Sequence, residues 1–143
     1  MNFKQFFENE TSKEQQASLG MIKDLNNFNR APSWKGYPTW DFGNGVYMSL
    51  SNENRNIETD IVNYQESTPN IWYLENIQSL NKGQGNANIA LKALIEMAKK
   101  NGVTLRLYPK RTEKHKQNLN DKQLKNWYQK FGFKQISPLY YEL

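Results

Sequence analysis

The residues best placed to do chemistry lie between positions 71 and 98, IWYLENIQSL NKGQGNANIA LKALIEMA, where an apolar, aromatic-rich strand pattern meets a glycine-bearing turn and then a helix pattern. The turn is Lys82-Gly83-Gln84-Gly85. A helix leaves the N–H groups of its first turn without intrahelical partners, and its aligned peptide dipoles put about half a positive charge at that end. A phosphate can therefore bind bare backbone, and glycine in the turn lets it approach the main chain. Two well-defined phosphate loops do not fit. A Walker A loop ends in Gly-Lys-Ser/Thr, which is missing here, and a G-x-G-x-x-G dinucleotide loop needs glycine where Asn88 stands.

Other chemistries are narrowed by what the chain lacks. With no cysteine, disulfides, thiolate metal sites and a cysteine nucleophile are excluded, and a reducing compartment is expected. The single histidine, His115, would have to serve any Ser-His-Asp triad or histidine metal centre, and it sits in the polar run KRTEKHKQN, where a solvated loop histidine is the plainer reading. No metal is expected.

What remains, Lys82-x-x-Gly85-x-Ala87 between a strand and a helix, resembles the acetyl-CoA pyrophosphate loop of the GNAT (GCN5-related N-acetyltransferase) superfamily, Gln/Arg-x-x-Gly-x-Gly/Ala, with Lys82 in place of the Gln or Arg. A second match lies downstream in LKNWYQKFGF, residues 124–133, which is similar to the family's late helix and following strand, with Tyr128 four residues before Gly132-Phe133. The likeness covers about residues 46–143 and looks most like the small acetyltransferases that phages and plasmids carry. It implies transfer of an acetyl group from acetyl-CoA, a co-substrate, to a primary amine, with a protein lysine among the candidate acceptors.

The resemblance also implies roles. The pyrophosphate would be held by Lys82, Gly83, Gln84, Gly85, Asn86, Ala87 and Asn88, and the pantetheine amides by main-chain groups of Ile77, Gln78 and Ser79. Tyr128 would protonate the departing thiolate. It also belongs to an apolar helix face, where a tyrosine is commonly a core aromatic. For the base, Glu75 on the central strand is the candidate, against a structural role. A base is needed because a lysine amine has a pKa near 10.4 and is mostly charged at neutral pH.

The elements that must position these groups follow from periodicity. Residues 1–30 read as two short helices, the second capped by Thr11 or Ser12 and carrying Ala17, Met21, Ile22 and Leu25 at helical spacing. APSWKGYPTWDFGNG, residues 31–45, reads as an ordered loop whose Trp34, Tyr37 and Trp40 either pin it to the core or wall the acceptor. Strands over 46–50 and 57–64 and the strand from Ile71 should form an antiparallel meander. Period two along the last strand puts Ile71, Tyr73, Glu75, Ile77 and Ser79 on one face and Trp72, Leu74, Asn76, Gln78 and Leu80 on the other.

A helix over about 85–100 follows, with Ala87, Ala90, Leu91, Leu94 and Ala98 as its stripe and Gly102 as its stop. Next come a parallel strand over 103–108 and a basic loop, 109–119, with Lys110, Arg111, Lys114 and Lys116. Asn120 and Gln123 form a capping box for a helix that aligns Leu124, Trp127, Tyr128 and Phe131. Strands over 134–136 and 139–143 close the chain.

The expected fold is α+β and GNAT-like. Its mixed, mostly antiparallel sheet splays between the strands at 71–80 and 103–108, with helices on both faces. One domain is expected, comprising a divergent N-terminal region, 1–45, and a CoA-binding core, 46–143. Nineteen Lys and Arg against fourteen Asp and Glu give a net charge of +5, suited to an anionic ligand. No run approaches the roughly 20 apolar residues needed to span a bilayer, and MNFKQFFENE lacks a secretory h-region, so a cytoplasmic protein, in a host cytoplasm if phage-borne, is expected. Membrane association is not expected, and a monomer or dimer suits a chain of this size. Two other classes remain open: a non-catalytic CoA-binding or protein-interaction module on the same fold, and a small basic nucleic-acid binder whose aromatics stack on bases.

Overall fold

The computed structural model describes the backbone of residues 3–81, 85–110 and 119–143, with side chains from Lys13 onward apart from Ser67. Expectations for Lys82, Gly83, Gln84, Arg111, Lys114, His115 and Lys116 lie outside the described residues.

Helix α1 is a single element, Phe3–Leu25, not two pieces. Residues 3–19 contain neither glycine nor proline, so the capping residues Thr11 and Ser12 meet nothing that forces the helix to restart. Ala17, Met21 and Leu25 are its buried stripe. Gly20 makes a close approach possible, because a Cβ there would lie 2.2 Å from the Asn101 side chain oxygen.

The stretch expected to be a loop is mostly strand: β1, Asn29–Trp34, and β2, Tyr37–Asp41, form an antiparallel hairpin. Lys35 and Gly36 at its tip both have positive φ, 48° and 83°, the two-residue turn whose twist matches paired strands. Next, β3, Val46–Ser51, pairs with β2 and then directly with β6, Ile71–Ser79. The expected meander is therefore interrupted. Its middle strand instead belongs to a separate two-stranded ribbon, β4, Glu53–Arg55, with β5, Val62–Ser67.

Helix α2, Asn86–Asn101, carries the chain from β6 to β7, Thr104–Leu107, which pairs with β6 in parallel. Gly102, at φ 71°, ends α2 in the left-handed conformation that a side chain would disfavour. Helix α3, Asp121–Lys130, then leads to β8, Lys134–Gln135, and β9, Tyr141–Glu142. Both halves of its capping box are present: Gln123 N–H donates to Asn120 Oδ1 at 2.8 Å, and Asn120 N–H donates to Gln123 Oε1 at 2.9 Å. The sheet is ordered β1-β2-β3-β6-β7-β9-β8, and β6–β7 is its parallel pair.

The two faces of this sheet differ sharply. Val46, Met48 and Leu50 of β3, Trp72 and Leu74 of β6, and Leu105 and Leu107 of β7 are buried on one face. Residues of all three helices, among them Met21, Leu91, Leu94 and Tyr128, join them in one apolar cluster rather than being divided between two faces. The other face is polar and aromatic, with Tyr73 opposite Arg106 and Ser51, and Arg106 opposite Glu142.

One irregularity corrects the expected facing of β6. Ser49 opposes Asn76 while Leu50 opposes Leu74, so Glu75 is an extra residue with no partner on β3. Such a bulge shifts the alternation by one. Beyond it Ile77 lies opposite Met48 on the apolar face, and Gln78 lies opposite Tyr47 on the polar face.

Candidate active site

β7 is paired with β6 along its whole length, but β6 is the longer strand. Their register runs over four pairs, from Ile71 with Thr104 to Leu74 with Leu107, whereas β6 continues to Ser79. Past Leu74, the β7-facing side of β6 has no neighbouring strand among the described residues. The bulge at Glu75 falls immediately after the last β6–β7 pair, and a bulge bends its strand and increases local twist. Ile77, Gln78 and Ser79, the candidate pantetheine residues, lie in the continuing segment and keep β3 as their partner on the other side.

At the far end of that segment stands the start of α2. Gly85 is its N-cap at φ 72°, and no side chain caps the helix. Gly85 contributes its carbonyl to the first helical bond, from Ile89 N–H at 3.2 Å. The amides of Asn86, Ala87 and Asn88 precede that bond, as the first-turn orphans of any helix do. The Asn86 and Asn81 side chains both donate to the Asn44 carbonyl, at 3.4 and 3.2 Å, tying this corner to the β2–β3 turn. Lys82, Gly83 and Gln84 complete the candidate loop in sequence and lie outside the described residues.

Helix α3 meets this corner directly. The Trp127 indole N–H donates to Asn88 Oδ1 at 2.6 Å, which puts α3 against the first turn of α2. Tyr128, the next residue, is buried, with its ring edge-on to Phe133 at 5.7 Å. The core reading of Tyr128 is therefore correct for its ring. Burial pushes its hydroxyl pKa upward, so the group keeps its proton through the neutral range.

Glu75 is placed differently from an open base. Its side chain is 8 % exposed and accepts from Arg55 Nη1 at 2.7 Å, and Arg55 itself is 6 % exposed. Tyr37, at the start of β2, is half-buried. Burial first, and the neighbouring Glu75 charge second, push the Tyr37 hydroxyl up to about 12. Arg55 is gripped in turn by Glu53 at 3.3 Å and the Tyr140 hydroxyl at 2.9 Å, and its guanidinium lies 4.4 Å from the Tyr73 ring centre. Tyr140 also makes a short hydrogen bond to Asp60. The β4–β5 ribbon is thereby fastened to the polar face of the sheet beside Glu75.

Arg55, Tyr37 and Tyr140 were not singled out as site residues by sequence. Tyr37 could be read only as one of three loop aromatics, and Arg55 sits unremarked in the polar stretch SNENRN. No protein-family model, curated protein or solved structure matches the chain. No helix among the described residues is long and apolar enough to cross a membrane.

Proposed function

We propose that this chain is an N-acetyltransferase of GNAT type that moves an acetyl group from acetyl-CoA to a primary amine, with acetyl-CoA lying in the fork where β6 outruns β7. The observation that carries the reading is that fork leading into an uncapped helix start. A strand edge without a neighbouring strand can hydrogen-bond an extended amide-bearing arm, and a helix start with bare amides can hold a diphosphate. Ile77–Ser79 supply main-chain groups to the pantetheine arm. The Gly85–Asn88 backbone takes the pyrophosphate, with Lys82, Gly83 and Gln84 completing the loop. A main-chain N–H of β6 meets the oxyanion.

In the reaction the neutral amine attacks the thioester carbonyl carbon, the C–N bond forms, and collapse of the tetrahedral intermediate breaks the C–S bond. Tyr128 gives its proton to the departing sulfur and regains one from solvent. The amine gives up its proton to Glu75. At neutral pH only about one lysine amine in 10³ is uncharged, so this proton acceptor is worth up to about that factor in rate. The enclosure of Glu75 is the one observation favouring a second reading, a CoA-binding module on the same fold that does not turn over.

Thiol release from acetyl-CoA in the presence of amines tests the proposal. Turnover is expected, and Tyr128→Phe should lower kcat about 10²-fold while leaving acetyl-CoA binding intact. Binding without turnover would favour the module.

A further inference from the structure

The tyrosine that would protonate the departing sulfur sits on a helix of ten residues, Asp121–Lys130, whose roll about its own axis decides where that hydroxyl points. Leu124, Trp127, Tyr128 and Phe131 meet the core through apolar contacts, which are non-directional and leave a short helix free to roll. A directional bond away from the axis stops the roll. Such a bond is made by the residue before Tyr128: the Trp127 indole N–H donates to Asn88 Oδ1 at 2.6 Å. We propose that Trp127 is a positioning residue, which through Asn88 holds the Tyr128 hydroxyl in line with the sulfur of bound acetyl-CoA. This inference rests on the acetyl-transfer reading above.

Both ends of the link suit that role. Asn88 is the third residue of α2, so its main-chain N–H belongs to the first turn, while its side-chain oxygen reaches across to α3. An indole has a single N–H and no acceptor, so this bond uses the whole polar capacity of Trp127. On the α3 side the Trp127 ring centre lies 4.9 Å from that of Tyr128 and is edge-on to Phe131 at 5.2 Å, and Tyr128 is edge-on to Phe133 at 5.7 Å. Trp127 therefore touches the start of α2 with its nitrogen and Tyr128 with its ring. Misplacing a reacting group by about 1 Å can cost about 10²-fold in rate, so a small roll of α3 is enough to matter.

The test is thiol release from acetyl-CoA by the full chain, with spermidine, poly-L-lysine and glycinamide as amines, alongside acetyl-CoA binding by calorimetry. Trp127→Phe keeps an aromatic ring against Tyr128 and removes the N–H. It should lower kcat about 10-fold with the acetyl-CoA Kd unchanged. In a Tyr128→Phe background the same substitution should cost no more than about twofold, because there is no longer a hydroxyl to aim. Asn88 is exposed, so Asn88→Leu removes the acceptor without opening the core and supplies the test if Trp127→Phe does not fold. It should lower kcat by a similar factor, and again by no more than about twofold once Tyr128 is Phe. An unchanged kcat, or a loss undiminished in the Tyr128→Phe background, overturns the positioning role alone. If the unaltered chain releases no thiol with any of the three amines, the acetyl-transfer reading fails and takes the positioning role with it.

Discussion

Arg55 meets three carboxylates and two tyrosine rings, and the burial of its pair with Glu75 decides what a substitution there does. Breaking a buried ion pair from one side costs about 3–5 kcal/mol, because the remaining charge is left without a partner in low dielectric. Arg55→Met should therefore destabilise the chain by about that much in urea unfolding. Adding Glu75→Gln to that variant should recover part of the loss, since an amide needs no counter-charge. A cost below about 1 kcal/mol for Arg55→Met would mean that the ribbon does not depend on this clamp. Nothing in the residues beside Arg55 marks it out. Glu53 and Asp60 are close by in sequence, but Glu75 lies on β6 and Tyr140 is 85 positions away, so the full clamp exists only once the ribbon folds back over β6. Tyr128 was more legible, because Leu124, Trp127 and Phe131 share its helix face within a few residues.

Elements whose signals are local were readable, and those that depend on register were not. The α3 start is specified within four residues by Asn120 and Gln123, and both predicted bonds are made. Asn120→Ala should cost about 1 kcal/mol of stability in thermal unfolding, the usual loss for a side-chain cap. No measurable loss would show that packing of Trp127 and Tyr128 alone defines this helix. The stripe of α2 and its Gly102 stop were likewise visible as spacing and a terminal glycine. The β1–β2 hairpin was hidden because its turn is Lys-Gly rather than the Asn-Gly or Asp-Gly that signals a two-residue loop, and because Pro32 reads as a breaker. That proline is tolerable at the sheet's edge, where one side of the strand needs no ladder bond. The facing of Ile77 and Gln78 was misread for another reason: a single bulged residue reverses a period-two pattern and leaves no mark in composition.

At the scale of the molecule, an apolar sheet face takes the helices and a polar face takes the ribbon, and β6 runs on to Ser79 past the end of β7 at Leu107. The α+β class and the strand–turn–helix at its centre could be read from periodicity. The strand order could not, because pairing β3 with β6 across the intervening ribbon is a long-range choice. The account's central claim is that this fork and the α2 start together hold acetyl-CoA. Thermal unfolding of the full chain with acetyl-CoA, compared with ADP at equal concentration, tests it most directly. At about 100 times Kd a ligand confined to the folded state adds roughly 2.7 kcal/mol, which for a chain of this size raises Tm by about 9 °C. The account predicts a rise of that order with acetyl-CoA and a much smaller one with ADP, which lacks the pantetheine arm. An unchanged Tm at millimolar acetyl-CoA, or equal shifts from the two compounds, would contradict it.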